Sequence, residues 1–290
     1  MTAAAPAHRL PQLVVTDLDG TFLSPDGTVS AENRAAVRAA QDVGLPVLFA
    51  TGRPVRWLDV VRDLPGAHPT VIASNGAVLY DLGADRVLDR LCLDPAVALT
   101  ALRAVRAARP SAAFAFESGT RFGYEPAYST LRPDDGTDPA LERAPAEELA
   151  AREDCVKMLV QDATCDADTL LAEVSALVGD ALTVTHSVAR GHGLVEISGP
   201  GVSKASMLAR CCERLGVDPA RVAAFGDMPN DVDMLSFAGM PHVVANAHPL
   251  LLDGRYPVVP GNAESGVGRT IRGWVEAARP AVDAVPAPTP

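Results

Sequence analysis

Short apolar runs, each closed by a polar cluster, alternate with stretches of helical period over residues 1–82. Leu13–Thr16, Leu45–Phe49 and Thr70–Ala73 are aliphatic or β-branched runs of strand length. Between the first two, Ser30 stands where an N-cap belongs, Ala36, Val37 and Ala40 recur at helical spacing, and Gly44 supplies a stop. Pro54 opens a second helix running towards Leu64, and Ala77–Tyr80 reads as a further short strand. The order strand, helix, strand, helix, strand predicts a parallel α/β sheet with helices on its faces.

The rhythm then changes. Asp94-Pro95 begins a helix reaching about Ala108, and Asp166 caps another ending near Leu177. Around them lie five strand-like runs, Ala112–Glu117, Arg121–Tyr124, Val156–Gln161, Leu182–Ser187 and Gly193–Ile197, with a polar loop and short helix over 130–148. Many strands with two helices, set between stretches of α/β pattern, predict an inserted α+β domain at 83–190. After Gly199-Pro200-Gly201 the α/β pattern returns, and the second core segment is placed at 191–290. Ser203 caps a helix carrying Lys204, strands are expected at Val222–Phe225, His242–Ala245 and Tyr256–Val259, and a short helix begins at Asp231. A closing helix spans Gly268–Ala278, residues 1–12 read as a loose leader, and the Pro/Ala-rich tail from about 279 is expected to be disordered.

Composition narrows the class without naming a chemistry. The chain has 290 residues, 48% hydrophobic and 21% charged, enough for one large domain or two smaller ones. A net charge of −11 with scattered arginines argues against nucleic acid as a partner. No run has the length of a membrane span and the N-terminus has no long apolar stretch, so a cytoplasmic protein, monomer or homodimer, is expected. The five cysteines fit neither a disulfide framework nor a zinc cluster.

The polar clusters at the strand ends carry the chemistry. In a parallel α/β sheet, ligands sit beyond the carboxyl ends of the strands. Asp17 and Asp19 with Gly20-Thr21, then Thr51-Gly52-Arg53, then Ser74-Asn75-Gly76, all fall at such ends. A second acidic cluster, Asp227 and Asp231 around Asn230, follows the strand Val222–Phe225, and Asn246 ends the next strand. Carboxylates crowded together repel unless opposite charge offsets them. This hard oxygen set suits Mg²⁺, whereas the six histidines show no zinc-ligand spacing. Lys204 at a helix start opposes the helix dipole, which points to a functional placement beside Thr51. A metal, a lysine, a hydroxyl and a Gly-rich turn are what a phosphoryl group needs. Neither a Gly-x-x-x-x-Gly-Lys-Ser/Thr loop nor a Gly-x-Gly-x-x-Gly turn is present.

These motifs, in this order, resemble the haloacid dehalogenase superfamily, in its Cof-type phosphatase branch with a large α/β cap (type IIB). Asp17-Leu18-Asp19-Gly20-Thr21 matches the first motif, Thr51 the second, Lys204 the third, and Gly226-Asp227-Met228-Pro229-Asn230-Asp231 the fourth. Ala205 replaces the glycine common after the motif lysine, and Ala263 and Ser265 stand where acidic residues are more usual. The resemblance implies a Rossmann-like parallel-sheet core with an inserted α+β cap. It implies a Mg²⁺-dependent phosphatase acting on a small phosphorylated metabolite, a sugar phosphate or a phosphorylated cofactor or precursor. Asp17 would be the nucleophile and Asp19 the acid and base. Thr51 and Lys204 would hold the phosphoryl oxygens. Asp17, the Asp19 backbone carbonyl, Asp227 and Asp231 would surround the metal. Gly20, Thr21, Gly52, Arg53, Asn75, Gly76, Asn230 and Asn246 would contact substrate or support the site; Arg53 has two readings, pairing with a core carboxylate or touching substrate. Arg121, Tyr124, Lys157, His186, Arg190 and His192 are the polar candidates in the cap. A phosphomutase, a phosphonatase using Lys157 for a Schiff base, and a non-catalytic binding or regulatory protein remain as alternatives.

Overall fold

The computed structural model describes residues 10–130, 138–186 and 193–278. The expected leader up to residue 9, the tail from 279, and Arg190 and His192 lie outside the described residues. In chain order the elements are β1 (Leu13–Thr16), α1 (Ala31–Asp42), β2 (Val47–Ala50), α2 (Asp59–Arg62), β3 (Ala67–Ala73), β4 (Val78–Asp81) and β5 (Arg86–Arg90). There follow α3 (Pro95–Ala108), β6 (Ala113–Glu117), β7 (Phe122–Tyr124), β8 (Leu141–Arg143), α4 (Ala146–Ala150), β9 (Lys157–Asp162), α5 (Ala167–Val178), β10 (Thr183–Thr185) and β11 (Gly193–Ser198). The chain closes with α6 (Lys204–Leu215), β12 (Val222–Gly226), α7 (Val232–Phe237), β13 (Met240–Val244), β14 (Val258–Val259) and α8 (Gly266–Ala278).

Two sheets result. The core sheet has the order β14-β13-β12-β1-β2-β3-β4-β5, parallel from β14 to β3 and antiparallel at β4 and β5. The strands β1, β2 and β12 are buried on both faces, which is why they read as unbroken apolar runs rather than alternating ones. The second sheet, β10-β11-β9-β6-β7-β8, is antiparallel except where β7 meets β8, and forms the inserted cap. By sheet membership, both changes of sheet fall later in the chain than the expected limits at 83 and 190. β5 pairs with β4 in the core sheet beyond residue 83, and β11 pairs with β9 in the cap sheet beyond residue 190. Pattern alone could not assign β11, because a strand of mixed composition next to a Gly-Pro-Gly turn carries no mark of which sheet it joins.

The cap strands alternate strictly. Phe114, Phe116, Met158, Val160, Val195 and Ile197 point to the side covered by α3, α4 and α5. Glu117, Lys157 and Glu196 occupy the other parity, facing the core. The local signals were legible: Ser30, Asp94, Asp166 and Ser203 each accept a hydrogen bond from a backbone N–H in the first turn of the helix that follows. No helix among the described residues is long and apolar enough to cross a membrane.

Candidate active site

The register of the parallel strands brings the motifs together. Thr16 pairs with Phe225 on one side and Phe49 on the other, so Asp17, Thr51 and Asp227 emerge from the same edge of the sheet. The Asp17 amide still donates to the Phe225 carbonyl at 3.0 Å, and the Thr51 amide to Ile72 at 2.8 Å, which ties the first residue of each loop to the sheet. Between Asp17 and Leu23 the chain makes a tight turn with Gly20 at φ +79°. A Cβ on Gly20 would collide with the Asp227 carboxylate, so only glycine lets the two acidic loops approach this closely.

Lys204 is wholly buried at the start of α6, and its ammonium donates to Asp17 and, at 2.7 Å, to Asp231 Oδ1. Asp231 spends its other oxygen on the Asp227 and Met228 amides, both at 3.0 Å, and so shapes the fourth-motif loop. Thr21 donates to Asp227 Oδ1 at 2.6 Å. Asp17, Asp227 and Asp231 each offer an oxygen within 4.8 Å of the others, and all three are buried. Burial pushes the Asp17 carboxyl well above its usual range, and Asp231 and Asp227 add to this against the pull of Lys204. Burial, followed by the charge of Asp231, pushes Asp227 up to about 7.

That cluster is a test of fit for a metal. Three buried carboxylates around one ammonium carry an excess of two negative charges when ionised. A divalent cation with oxygen ligands would neutralise that excess, and the hard donor set suits Mg²⁺. The metal role expected of Asp19 is through its backbone carbonyl; its carboxylate is not part of the three-carboxylate cluster and lies in a fork of Arg53, with Nε to Oδ2 and Nη2 to Oδ1 both 2.6 Å. Of the two readings of Arg53, the structure displays pairing with a core carboxylate. Asp19 is thus exposed to the cavity while Asp17 sits deep, which separates the two aspartates of the first motif by environment.

The supporting residues form one connected network. The Thr51 hydroxyl accepts from the Arg53 amide at 3.1 Å, leaving its own proton to donate outward. Asn75, at φ +56°, receives Asn230 Nδ2 at 3.0 Å and gives its own amide to Glu196 at 2.8 Å. Gly76, at φ +96°, packs directly under the Ser203 carbonyl at the start of α6. Asn246 donates to the Gly20 carbonyl at 2.8 Å and accepts the Asn262 amide at 2.9 Å, linking the first motif to the segment before α8. Gly52 presents its carbonyl to Lys157 Nζ at 2.8 Å.

Among the described cap candidates, Lys157 hydrogen-bonds a core loop, and His186 lies edge-on to the ring of His248 at 6.1 Å. The Lys157 ammonium also bonds Glu196 at 2.7 Å and lies 3.3 Å from Glu117, which in turn accepts from Ser74 at 3.0 Å. Arg121 pairs instead with Asp154, Tyr124 is buried in the cap, and His186 meets Asp168 at 3.0 Å. Glu117 escaped the sequence reading. Its signal was present in the alternation of Ala113–Glu117, which puts a charge on the same parity as two alanines, but only the partner strand shows that Lys157 lies opposite. Arg56 was also missed; it lies over the rings of Trp57 and Phe122, at 5.2 and 4.6 Å, and so joins core to cap.

Asp17, Asp19 and Arg53 open into a cavity of about 530 Å³ bounded by Trp57 and Met228 of the core and by the cap sheet. The family model for haloacid dehalogenase-like hydrolases matches residues 14–271 of the chain. Among curated relatives, the 5-amino-6-(5-phospho-D-ribitylamino)uracil phosphatase of Bacillus subtilis (strain 168) is 25% identical, over 91% of this chain and 96% of its own. The phosphoglycolate phosphatase of Methanothermobacter thermautotrophicus is 25% identical, over 90% of this chain and 99% of its own. In fold, the phosphatase BT1666 from Bacteroides thetaiotaomicron superposes with a TM-score of 0.75 at 21% identity, covering 94% of this chain and 98% of the other.

Proposed function

The chain belongs to the haloacid dehalogenase-like hydrolases, is a phosphatase of the Cof type, and from that premise we propose that it is a Mg²⁺-dependent phosphomonoesterase acting on a small phosphorylated metabolite through an aspartyl-phosphate. The observation that carries this reading is the pairing of a buried Asp17–Lys204 contact with an exposed Asp19 in one cavity. A carboxylate fixed by an ammonium is placed to attack, and a second carboxylate near solvent is placed to move a proton.

In the first step a carboxylate oxygen of Asp17 bonds to phosphorus as the bond from phosphorus to the ester oxygen breaks. Asp19 supplies the proton to the departing alkoxide, after which it is ionised. In the second step water attacks the phosphoryl group, its proton passes to Asp19, the Asp17–phosphorus bond breaks and orthophosphate leaves. Lys204 and the free hydroxyl proton of Thr51 hold equatorial phosphoryl oxygens through both steps. Mg²⁺ held by Asp17, Asp227, Asp231 and the Asp19 carbonyl would offset the negative charge of the phosphoryl group. The cap closes the cavity over the leaving group and limits its size.

The test is phosphate release from a panel of small phosphate esters by the purified protein, with Mg²⁺, with EDTA, and with Asp17→Asn as blank. Release that needs Mg²⁺ and vanishes in the variant is expected. Equal release by the variant would overturn the role of Asp17.

A further inference from the structure

The roof of the cavity is the open face of the cap sheet, and its composition bears on what the phosphate is attached to. Ala113, Ala115, Phe122, Tyr124, Tyr128 and Leu159 form a separate apolar cluster on that face, extended by Leu141 and Leu194. Every member comes from a strand or a connecting loop; no helix contributes a residue. A sheet face of this kind is ordinarily covered by another layer. Here Phe122, Tyr128, Leu141, Leu159 and Leu194 instead line the cavity that leads to Asp17 and Asp19, and Trp57 lies on its core side. At about 530 Å³ the cavity is within the range of pockets that enclose whole organic ligands, about 300–1,000 Å³.

The charged groups of the roof have partners already. Lys157 bonds Glu196 and the Gly52 carbonyl, Glu196 accepts from Asn75, and Glu117 accepts from Ser74. Tyr128 is held protonated, because burial and then the charges of Glu117 and Glu196 push its hydroxyl up. A leaving group with a hydroxyl on every carbon would place several of them against Leu159, Leu194 and Phe122, on the apolar part of a lining whose polar groups, Arg56, Thr130, Asp138 and Asn230, cannot meet them all. Buried polar groups without partners are disfavoured, whereas a flat apolar group there gains by leaving water.

We propose that the leaving group carries an apolar ring, aryl or heteroaryl, joined to the phosphate by a short chain and seated between the cap-sheet face and Trp57. This rests on the phosphatase reading above and selects among the substrates that reading allows, against free sugar phosphates.

The experiment compares kcat/KM with Mg²⁺ for benzyl phosphate, 2-(indol-3-yl)ethyl phosphate and glucose 6-phosphate. All three release a primary alcohol, so differences report binding of the leaving group and not its basicity. The ring esters are expected to exceed glucose 6-phosphate by about tenfold or more, as an apolar pocket discriminates, mostly through KM. Leu194→Asn and Trp57→Ala, both at half-buried positions, are expected to narrow that ratio. Glucose 6-phosphate turned over as well as the ring esters, or a ratio unmoved by both variants, would overturn the proposal. Release from no ester would count against the phosphatase reading, and calorimetric titration of Asp17→Asn with benzyl phosphate and glucose 6-phosphate then reads the seat directly. Tighter binding of benzyl phosphate keeps the ring seat; equal binding removes it.

Discussion

Arg53 grips both carboxylate oxygens of Asp19 at 2.6 Å, from a loop one strand away. The fork fixes where the proton-moving group sits, and it must loosen when Asp19 turns to the leaving oxygen. Asp19→Asn is expected to lower kcat on alkyl phosphates by about 10²–10⁴, the usual worth of a positioned acid, and far less on p-nitrophenyl phosphate, whose leaving group needs little protonation. Arg53→Ala should show the same dependence on leaving group with a smaller loss. An equal loss on every ester would place Arg53 on the phosphate instead.

Lys204 is the one ammonium within a cluster of three buried carboxylates. Lys204→Met removes the charge and keeps the bulk. Transition-state stabilisation should fall by roughly 3 kcal/mol, about a hundredfold in rate. Urea melts in EDTA should show a loss of about 3–5 kcal/mol, because the carboxylates lose their partner. A variant losing less than tenfold in rate would contradict the contact with phosphate.

Asp227 links stability to pH and metal. Burial, then Asp231, raises its carboxyl up to about 7, so the folded protein favours the protonated form. That contribution is fully present below about pH 4, the unfolded value, and is lost as pH rises through about 7. In EDTA, the melting temperature of the wild type should therefore fall relative to Asp227→Asn between pH 4 and 7. Mg²⁺ at pH 7.5 should raise the wild type and leave Asp227→Asn nearly unmoved. A pH-independent difference would show that Asp227 is ionised at all these values.

Lys157 cannot serve a Schiff-base mechanism while it is held as an ammonium. Burial alone would push its pKa down, but Glu117 and Glu196 outweigh burial and hold it above the usual value. Incubation with phosphonoacetaldehyde and borohydride should leave the enzyme active and unmodified at Lys157 by mass spectrometry. Modification there would revive the phosphonatase alternative.

Gly76 combines a φ of +96° with a backbone contact to Ser203. Gly76→Ala should displace the start of α6, and with it Lys204, and lower both stability and kcat. Gly254→Ala, also at positive φ but with open space around it, should cost only about 1 kcal/mol and spare activity.

Most core elements, though not β5, and the polar clusters at the ends of the core strands were legible in the amino-acid order alone. Apolar runs closed by Asp17, Thr51, Asn75 and Asp227 sit where the strands of a parallel sheet must end, because a buried strand has no polar positions until it leaves the sheet. The caps at Ser30, Asp94, Asp166 and Ser203 were equally legible, being interactions within one turn. The remainder depends on which strands become neighbours. The pairing of β6 with β9, and of β9 with β11, places Glu117, Lys157 and Glu196 side by side from positions far apart in the chain. The same pairing sets Phe122, Leu159 and Leu194 beside that charged cluster on the face turned to the cavity. The choice of Asp19, not another carboxylate, as the partner of Arg53 is likewise a matter of how two loops meet. Hydrophobic period reports which face of a strand is buried, not what lies across from it, so contacts made at long range through side chains are settled only when the sheets form.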